Sequence, residues 1–229
     1  MNILETLKKI RRAYLWIRKS FLSRSDFGSC GTNTVIQLPL RIYEPKSVYL
    51  AENVKISAGL SILNAPTEKV IIKRYTAIAA NCTIVPGSHR STVTVPHFLL
   101  GPSHINDKTS NIIINEDVWI GTNVTILSGV EIGRGCIVSA GSIVTKSIPP
   151  YALVVGAPAK IFKVKFSIDQ ILKHEAALYP ESERYSKEEL EQLFAEHYQD
   201  KKVFGTEEGL SDEALERLEI TKKSLNFIP

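Results

Sequence analysis

The sequence predicts a mainly β fold: a prism-shaped solenoid of short parallel strands, preceded by one basic helix and followed by a helical appendage. Three observations predict it. An aliphatic residue returns every six positions, small residues sit at fixed places beside it, and helical patterns are confined to the two ends.

The repeat comes first. From Ile114 the aliphatic position recurs at Ile120, Ile126, Ile132, Val138 and Val144. The next position is often small (Gly121, Gly133, Ser139), and the fourth after it is small or β-branched (Val118, Val124, Val130, Cys136, Ser142). The same spacing holds at Ile72, Ile78 and Ile84, and at Leu50, Ile56 and Ile62, with a slip in phase at Glu68–Lys69. A fixed internal period is the mark of a repeat architecture. A period of six suits neither a helix nor an alternating strand. It suits a three-walled coil in which each short segment forms one wall, each aliphatic side chain points to the axis, and stacked coils pair at about 4.8 Å. Segments 114–131 and 132–149 then form one turn each. The tight corners favour Gly, Ala, Ser or Asn. A sandwich of short antiparallel Val/Ile strands has no reason to hold this phase. The solenoid is expected over 35–166, broken by a loop at 90–111 that carries Pro96, Gly101, Pro102, His97 and His104. Long ordered loops in compact domains are usually functional.

The ends read as helix. Over 1–25, Ile3, Leu7, Ile10, Tyr14, Ile17 and Phe21 alternate steps of four and three, with Lys8, Lys9, Arg11, Arg12, Arg18 and Lys19 on the other sides. Such a helix either caps the open end of the solenoid or docks peripherally on an anionic membrane surface; the two roles are compatible. In 167–229, Ser167–Gln170 and Ser186–Glu189 fit capping boxes, and Ser211–Asp212 starts a third acidic run.

Composition narrows the class. A chain of 229 residues, 44% hydrophobic and 23% charged, reads as soluble and globular. No apolar run approaches the roughly 20 residues of a membrane span. Cys30, Cys82 and Cys136 are scattered and in no CxxC spacing, so a reducing, cytoplasmic setting fits best. Cys82 and Cys136 fall on small core positions. A net charge of +4 argues against a dedicated nucleic-acid binder.

The stretch Ile114–Lys160, with VWIG and AGSIVTKSIPPYALVVGAPAK, resembles the hexapeptide-repeat acyltransferases, and the likeness extends over 48–166. The family includes galactoside and maltose O-acetyltransferases, xenobiotic acetyltransferases and polysaccharide O-acetyltransferases. The resemblance implies a left-handed parallel β-helix, a handedness the general crossover rule would not give. It also implies a homotrimer with active sites between neighbouring subunits, and acetyl-CoA as acyl donor.

Acyl transfer to a hydroxyl needs a base, an oxyanion donor and a thioester site. His89 is the candidate base: it closes the hexad IVPGSH where the loop begins, and GSHRST is similar to the catalytic-histidine segment of galactoside and xenobiotic acetyltransferases. Trp119 is expected to face outward, at a subunit interface or, by the resemblance, against the pantetheine and acetyl region. The backbone N–H of Thr122 or a neighbour is the oxyanion donor by resemblance only. Gly121 and Ala140 are small enough for close approach of the pantetheine arm. By resemblance, Thr145, Lys146, Lys160 and Lys163 match cofactor-contacting positions, the lysines facing the phosphates as point charges. Asn64, Asn81 and His104 are candidate acceptor contacts, although turn-stabilising Asn is the default reading. No metal is expected. The γ-class carbonic anhydrases share the β-helix but need three histidines, and this chain has none between Asn111 and Lys173. The tail from Val155 looks like acetyltransferases of cell-surface polysaccharide synthesis, so a saccharide hydroxyl is the expected acceptor. An antibiotic, an amino sugar and a non-catalytic scaffold remain as alternatives.

Overall fold

The computed structural model describes residues 5–11, 22–206, 209–225 and 227. Its centre is a left-handed parallel β-helix with three walls. The first wall stacks Ser29–Cys30, Val48–Leu50, Val70–Ile72, Ile112–Ile114 and Glu131–Ile132; we number these β1, β4, β7, β12 and β15. The second stacks β2 (Val35–Ile36), β5 (Lys55–Ile56), β8 (Ala77–Ile78), β13 (Trp119–Ile120), β16 (Ile137–Val138) and β18 (Ala152–Val155), and ends on the antiparallel β19 (Lys160–Val164). The third stacks β3 (Arg41–Ile42), β6 (Ser61–Ile62), β9 (Thr83–Val85), β14 (Thr125–Leu127) and β17 (Ile143–Val144).

Strand register reproduces the sequence period. Ile72 pairs with Ile114 and Ile114 with Ile132 on the first wall. Ile78, Ile120 and Val138 align on the second, and Ile84, Ile126 and Val144 on the third. All of these side chains are buried in one core, as are the corner residues Val118, Val124, Val130 and Cys136. Cys82 directs its thiol to the Gly121 carbonyl at 3.1 Å, and Cys136 directs its own to the Pro149 carbonyl at 3.0 Å. Burial raises both thiols, Cys136 to about 12, so neither offers a thiolate.

One detail differs from the expectation, and the expected phase slip has a physical cause. The first coil starts at Ser29–Cys30, earlier than residue 35, because Cys30 stands where later coils have an aliphatic residue. The phase slip is a turn held by the buried Glu68, whose carboxylate accepts from the Ala65 N–H and, at 3.0 Å, from the Thr67 hydroxyl.

At the N-terminal end, residues 5–11 are helical. The rest of the expected amphipathic stripe, including Ile3, Tyr14, Ile17 and Phe21, lies outside the described residues. Within them, Leu7 and Ile10 are 57% and 60% exposed and cover no part of the core, whereas Phe27, just before the first coil, is buried in it. No helix among the described residues is long and apolar enough to cross a membrane.

The C-terminal segment forms α3 (Ile168–Leu178), α4 (Lys187–His197) and α5 (Asp212–Ser224). Ser167 with Gln170 and Ser186 with Glu189 form reciprocal capping boxes. Ile171, Leu190 and Tyr198 of this segment join the solenoid core. A polar clamp completes the docking. Glu175 accepts from the Tyr151 hydroxyl at 2.6 Å, from Arg134 at 3.1 Å and from the Tyr185 N–H at 2.6 Å.

Candidate active site

The loop between β9 and β12 is itself structured. Gly87–His89 (β10) pairs antiparallel with Asp107–Thr109 (β11), and the short helix α2 (His97–Ser103) lies between them. The hairpin therefore leaves the coil at Gly87, not at Arg90, and His89 stands on the hairpin instead of closing a coil.

Cross-strand register places His89 opposite Asp107. His89 Nδ1 lies 2.6 Å from Asp107 Oδ1, and His104 Nδ1 lies 2.9 Å from Asp107 Oδ2. A carboxylate only accepts, so each Nδ1 carries its hydrogen and each Nε2 is left as the acceptor. The hydrogen bond from His89 and then that from His104 hold the Asp107 carboxyl below its ordinary range. His104 reaches Asp107 because it caps α2 in the left-handed region, at φ 52°. Gly101 of the same helix lies against His89 Nε2; a Cβ placed there would come 3.9 Å from it. The hairpin thus presents a histidine with one nitrogen anchored to an anion and the other beside Gly101 of α2. The three side chains also bring one ligand atom each within 4.8 Å of one another, a donor set that a divalent transition metal accepts as well.

Sequence reasoning missed Asp107. A signal existed, since Asp107 is the only acidic residue between Arg90 and Asn111. His97 stands apart, with Nε2 3.4 Å from the Ser91 hydroxyl.

A second feature lies on the β2–β19 wall. A groove of about 410 Å³ is lined by Trp119, Gly121, Thr122, Ala140, Lys163 and other residues of this wall. Trp119 is 55% exposed and faces outward. Five of the expected donor-site residues thus share one groove. Thr145, Lys146 and Lys160 are exposed and lie outside its walls, although Lys160 pairs with the lining residue Val155. Gly121 needs its missing side chain for coil stacking, because a Cβ would meet the Ala140 backbone nitrogen at 2.6 Å. That is a different reason from room for a ligand.

The acceptor candidates separate. Asn64 is 5% exposed, donates to the Glu44 carbonyl at 2.8 Å and accepts from its N–H at 3.1 Å. Both ends of its amide are engaged with the Glu44 backbone, 20 residues earlier, which favours the default structural reading over an acceptor contact. Asn81 sits at a corner with φ 60°, its side-chain oxygen against Gly59. Only His104 of the three joins His89. His89 is not among the residues lining the Trp119 groove.

Residues 111–146 match the family described as bacterial transferase hexapeptide (six repeats). YJL218W of Saccharomyces cerevisiae, provisionally named as an acetyltransferase, is 32% identical over 146 residues, covering 64% of this chain and 70% of the yeast protein. The chain belongs to the hexapeptide-repeat acetyltransferases. WbbJ of Escherichia coli, provisionally named as a lipopolysaccharide-biosynthesis O-acetyl transferase, is 35% identical over 121 residues, covering 51% of this chain and 60% of WbbJ. A hexapeptide-repeat-containing acetyltransferase of Vibrio cholerae, solved in complex with acetyl coenzyme A, is 28% identical with a TM-score of 0.55, covering 62% of this chain and 73% of that chain. As a hexapeptide-repeat acetyltransferase, this chain carries its histidine–aspartate pair on a hairpin ejected from the coils.

Proposed function

We propose that this acetyltransferase moves the acetyl group of acetyl-CoA to a hydroxyl of a saccharide, a cell-surface polysaccharide or its precursor, with His89 as general base. The observation that carries this reading is the His89–Asp107 pair. The anchored Nδ1–H fixes the tautomer and leaves Nε2 to take a proton.

In the ternary complex, His89 Nε2 removes the acceptor hydroxyl proton as the oxygen attacks the thioester carbonyl. Asp107 stabilises the imidazolium that forms. A backbone N–H at Thr122 holds the tetrahedral oxyanion. The intermediate collapses by breaking the C–S bond, and the imidazolium returns its proton to the departing CoA thiolate. No covalent acyl-enzyme is required, in keeping with the buried, protonated thiols of Cys82 and Cys136.

The donor lies along the Trp119 groove in this reading, with Lys163 facing its phosphates and Lys160 and Lys146 beyond the rim. In this reading the working unit is a homotrimer with its sites between subunits, a second copy bringing base and groove together. The name of WbbJ supports an O-linked saccharide product.

The test combines acetyl-CoA titration of the purified protein with thiol release across a panel of saccharides, nucleotide sugars and antibiotics. Turnover with a saccharide, unchanged by a chelator, is the expected result. Turnover with antibiotics alone would reassign the acceptor. Loss of activity on chelation would make the His89–His104–Asp107 cluster a metal site. Failure to bind acetyl-CoA would leave a scaffold.

A further inference from the structure

The Trp119 groove has a wall that the β-helix does not supply. After α4 the chain returns to β19. Val203 bridges Val164, the Phe204 N–H donates to the Val164 carbonyl at 2.9 Å, and the Gly205 N–H donates to the Lys165 carbonyl at 2.7 Å. Gly205 is pressed against Phe166, where a Cβ would stand 2.4 Å from the ring. The returning segment is therefore fixed, and it presents Phe204 beside the groove.

Phe204 is 53% exposed and Phe162, on β19, is 55% exposed. Both line the groove, as does Lys163. The Lys163 ammonium lies 5.4 Å from the Phe162 ring centroid and 5.8 Å from that of Phe204. A pinned backbone holding two half-exposed aromatic rings near one cation forgoes substantial apolar burial. The arrangement fits a ligand that is flat and aromatic at one point and anionic at the next. The rings stack on the flat part and the ammonium meets the charge.

We propose that Phe204 and Phe162 form a stacking subsite for the adenine of the CoA donor, with Lys163 turned to the adjoining phosphates, so that the C-terminal appendage is part of the donor site. This rests on the donor reading above. It adds a ligand-binding role for the C-terminal segment.

The test uses the full chain with Phe204→Ala, Phe162→Ala and the conservative Phe204→Tyr. Dissociation constants are measured for CoA and for pantetheine, which lacks the nucleotide, and kinetics are run with acetyl-CoA and with S-acetylpantetheine. Stacking of one base on one aromatic ring corresponds to a loss of roughly 5- to 150-fold on alanine substitution. Each alanine variant should weaken CoA binding and raise KM for acetyl-CoA by that order, with kcat at saturating donor retained. Pantetheine binding and S-acetylpantetheine turnover should not change, and Phe204→Tyr should restore CoA binding. Equal losses for CoA and pantetheine would overturn the subsite and leave the rings shaping the groove alone. A change in oligomeric state on light scattering, with CoA affinity retained, would overturn it in favour of a contact between copies. Wild-type protein that binds no CoA would remove the donor reading itself. Wild-type binding with insensitive variants would remove only the stacking subsite.

Discussion

Glu175 is the residue whose loss should most weaken the joint between appendage and solenoid. It is 1% exposed, and its carboxylate serves three donors: the Tyr151 hydroxyl, Arg134 and the Tyr185 N–H. In Glu175→Ala the fully buried Tyr151 hydroxyl loses its acceptor, which costs about 1–3 kcal/mol. Removing one member of a buried ion pair costs about 3–5 kcal/mol when the survivor is left alone. Arg134 is not left alone, because Glu116 Oε2 stays 3.3 Å from its Nε and the Tyr179 ring lies 4.4 Å away. The ionic contribution therefore falls below that range, and the sum is about 3–5 kcal/mol. With a slope of about 2–3 kcal/mol per molar urea, the midpoint should drop by roughly 1–2 M. The assay is urea unfolding followed by far-UV circular dichroism. Adding Tyr151→Phe removes the orphaned hydroxyl, so the double variant should be more stable than the sum of the singles. A midpoint within about 0.3 M of wild type, or strict additivity, would refute the assignment of Glu175 as the clamp.

Three further outcomes are expected. Asp107→Asn supplies one acceptor where the carboxylate supplies two and removes the charge beside His89; kcat should fall by about 10²–10⁴-fold with acetyl-CoA affinity retained, measured by steady-state thiol release and calorimetry. Ile120→Ala, at a fully buried position of the second wall, should cost about 2–5 kcal/mol of stability in urea unfolding. Desolvation pushes the Asp117 carboxyl up, but His174 and Lys165 outweigh it and hold it below its ordinary range, so its stabilising contribution is present above the unfolded value of about 3.9 and lost as pH falls through the lower folded value. Thermal unfolding across acidic pH should show that loss, and Asp117→Asn should flatten it.

The solenoid was legible because its core is a one-dimensional repeat. Ile114, Ile120 and Ile126 point to one axis, so the period that sets the register is written in neighbouring residues. The first coil was less legible because Cys30 replaces the aliphatic residue on its first wall. The His89–Asp107 pair depends on a hairpin that closes over the whole loop, a contact that no local period encodes. Asn64 was left open for a related reason: a corner Asn can face a ligand or hold the backbone, and its bonds to Glu44, 20 residues earlier, favour the default structural reading. The groove residues Trp119, Gly121 and Ala140 come together because the second wall stacks successive coils in register, with Trp119 opposite Ile137 and Ile120 opposite Val138. Phe204 reaches the same wall from the segment between α4 and α5, through the Val203–Val164 bridge and its own N–H to the Val164 carbonyl, which spacing could not reveal.

The most direct test of the central claim is acceptor-dependent thiol release from acetyl-CoA by wild type and His89→Ala, with acetyl-CoA affinity measured on both. The account predicts that wild type turns over, that the variant loses about 10²-fold or more in kcat, and that both bind acetyl-CoA equally. A variant that keeps wild-type turnover would contradict the assignment of His89 as the base.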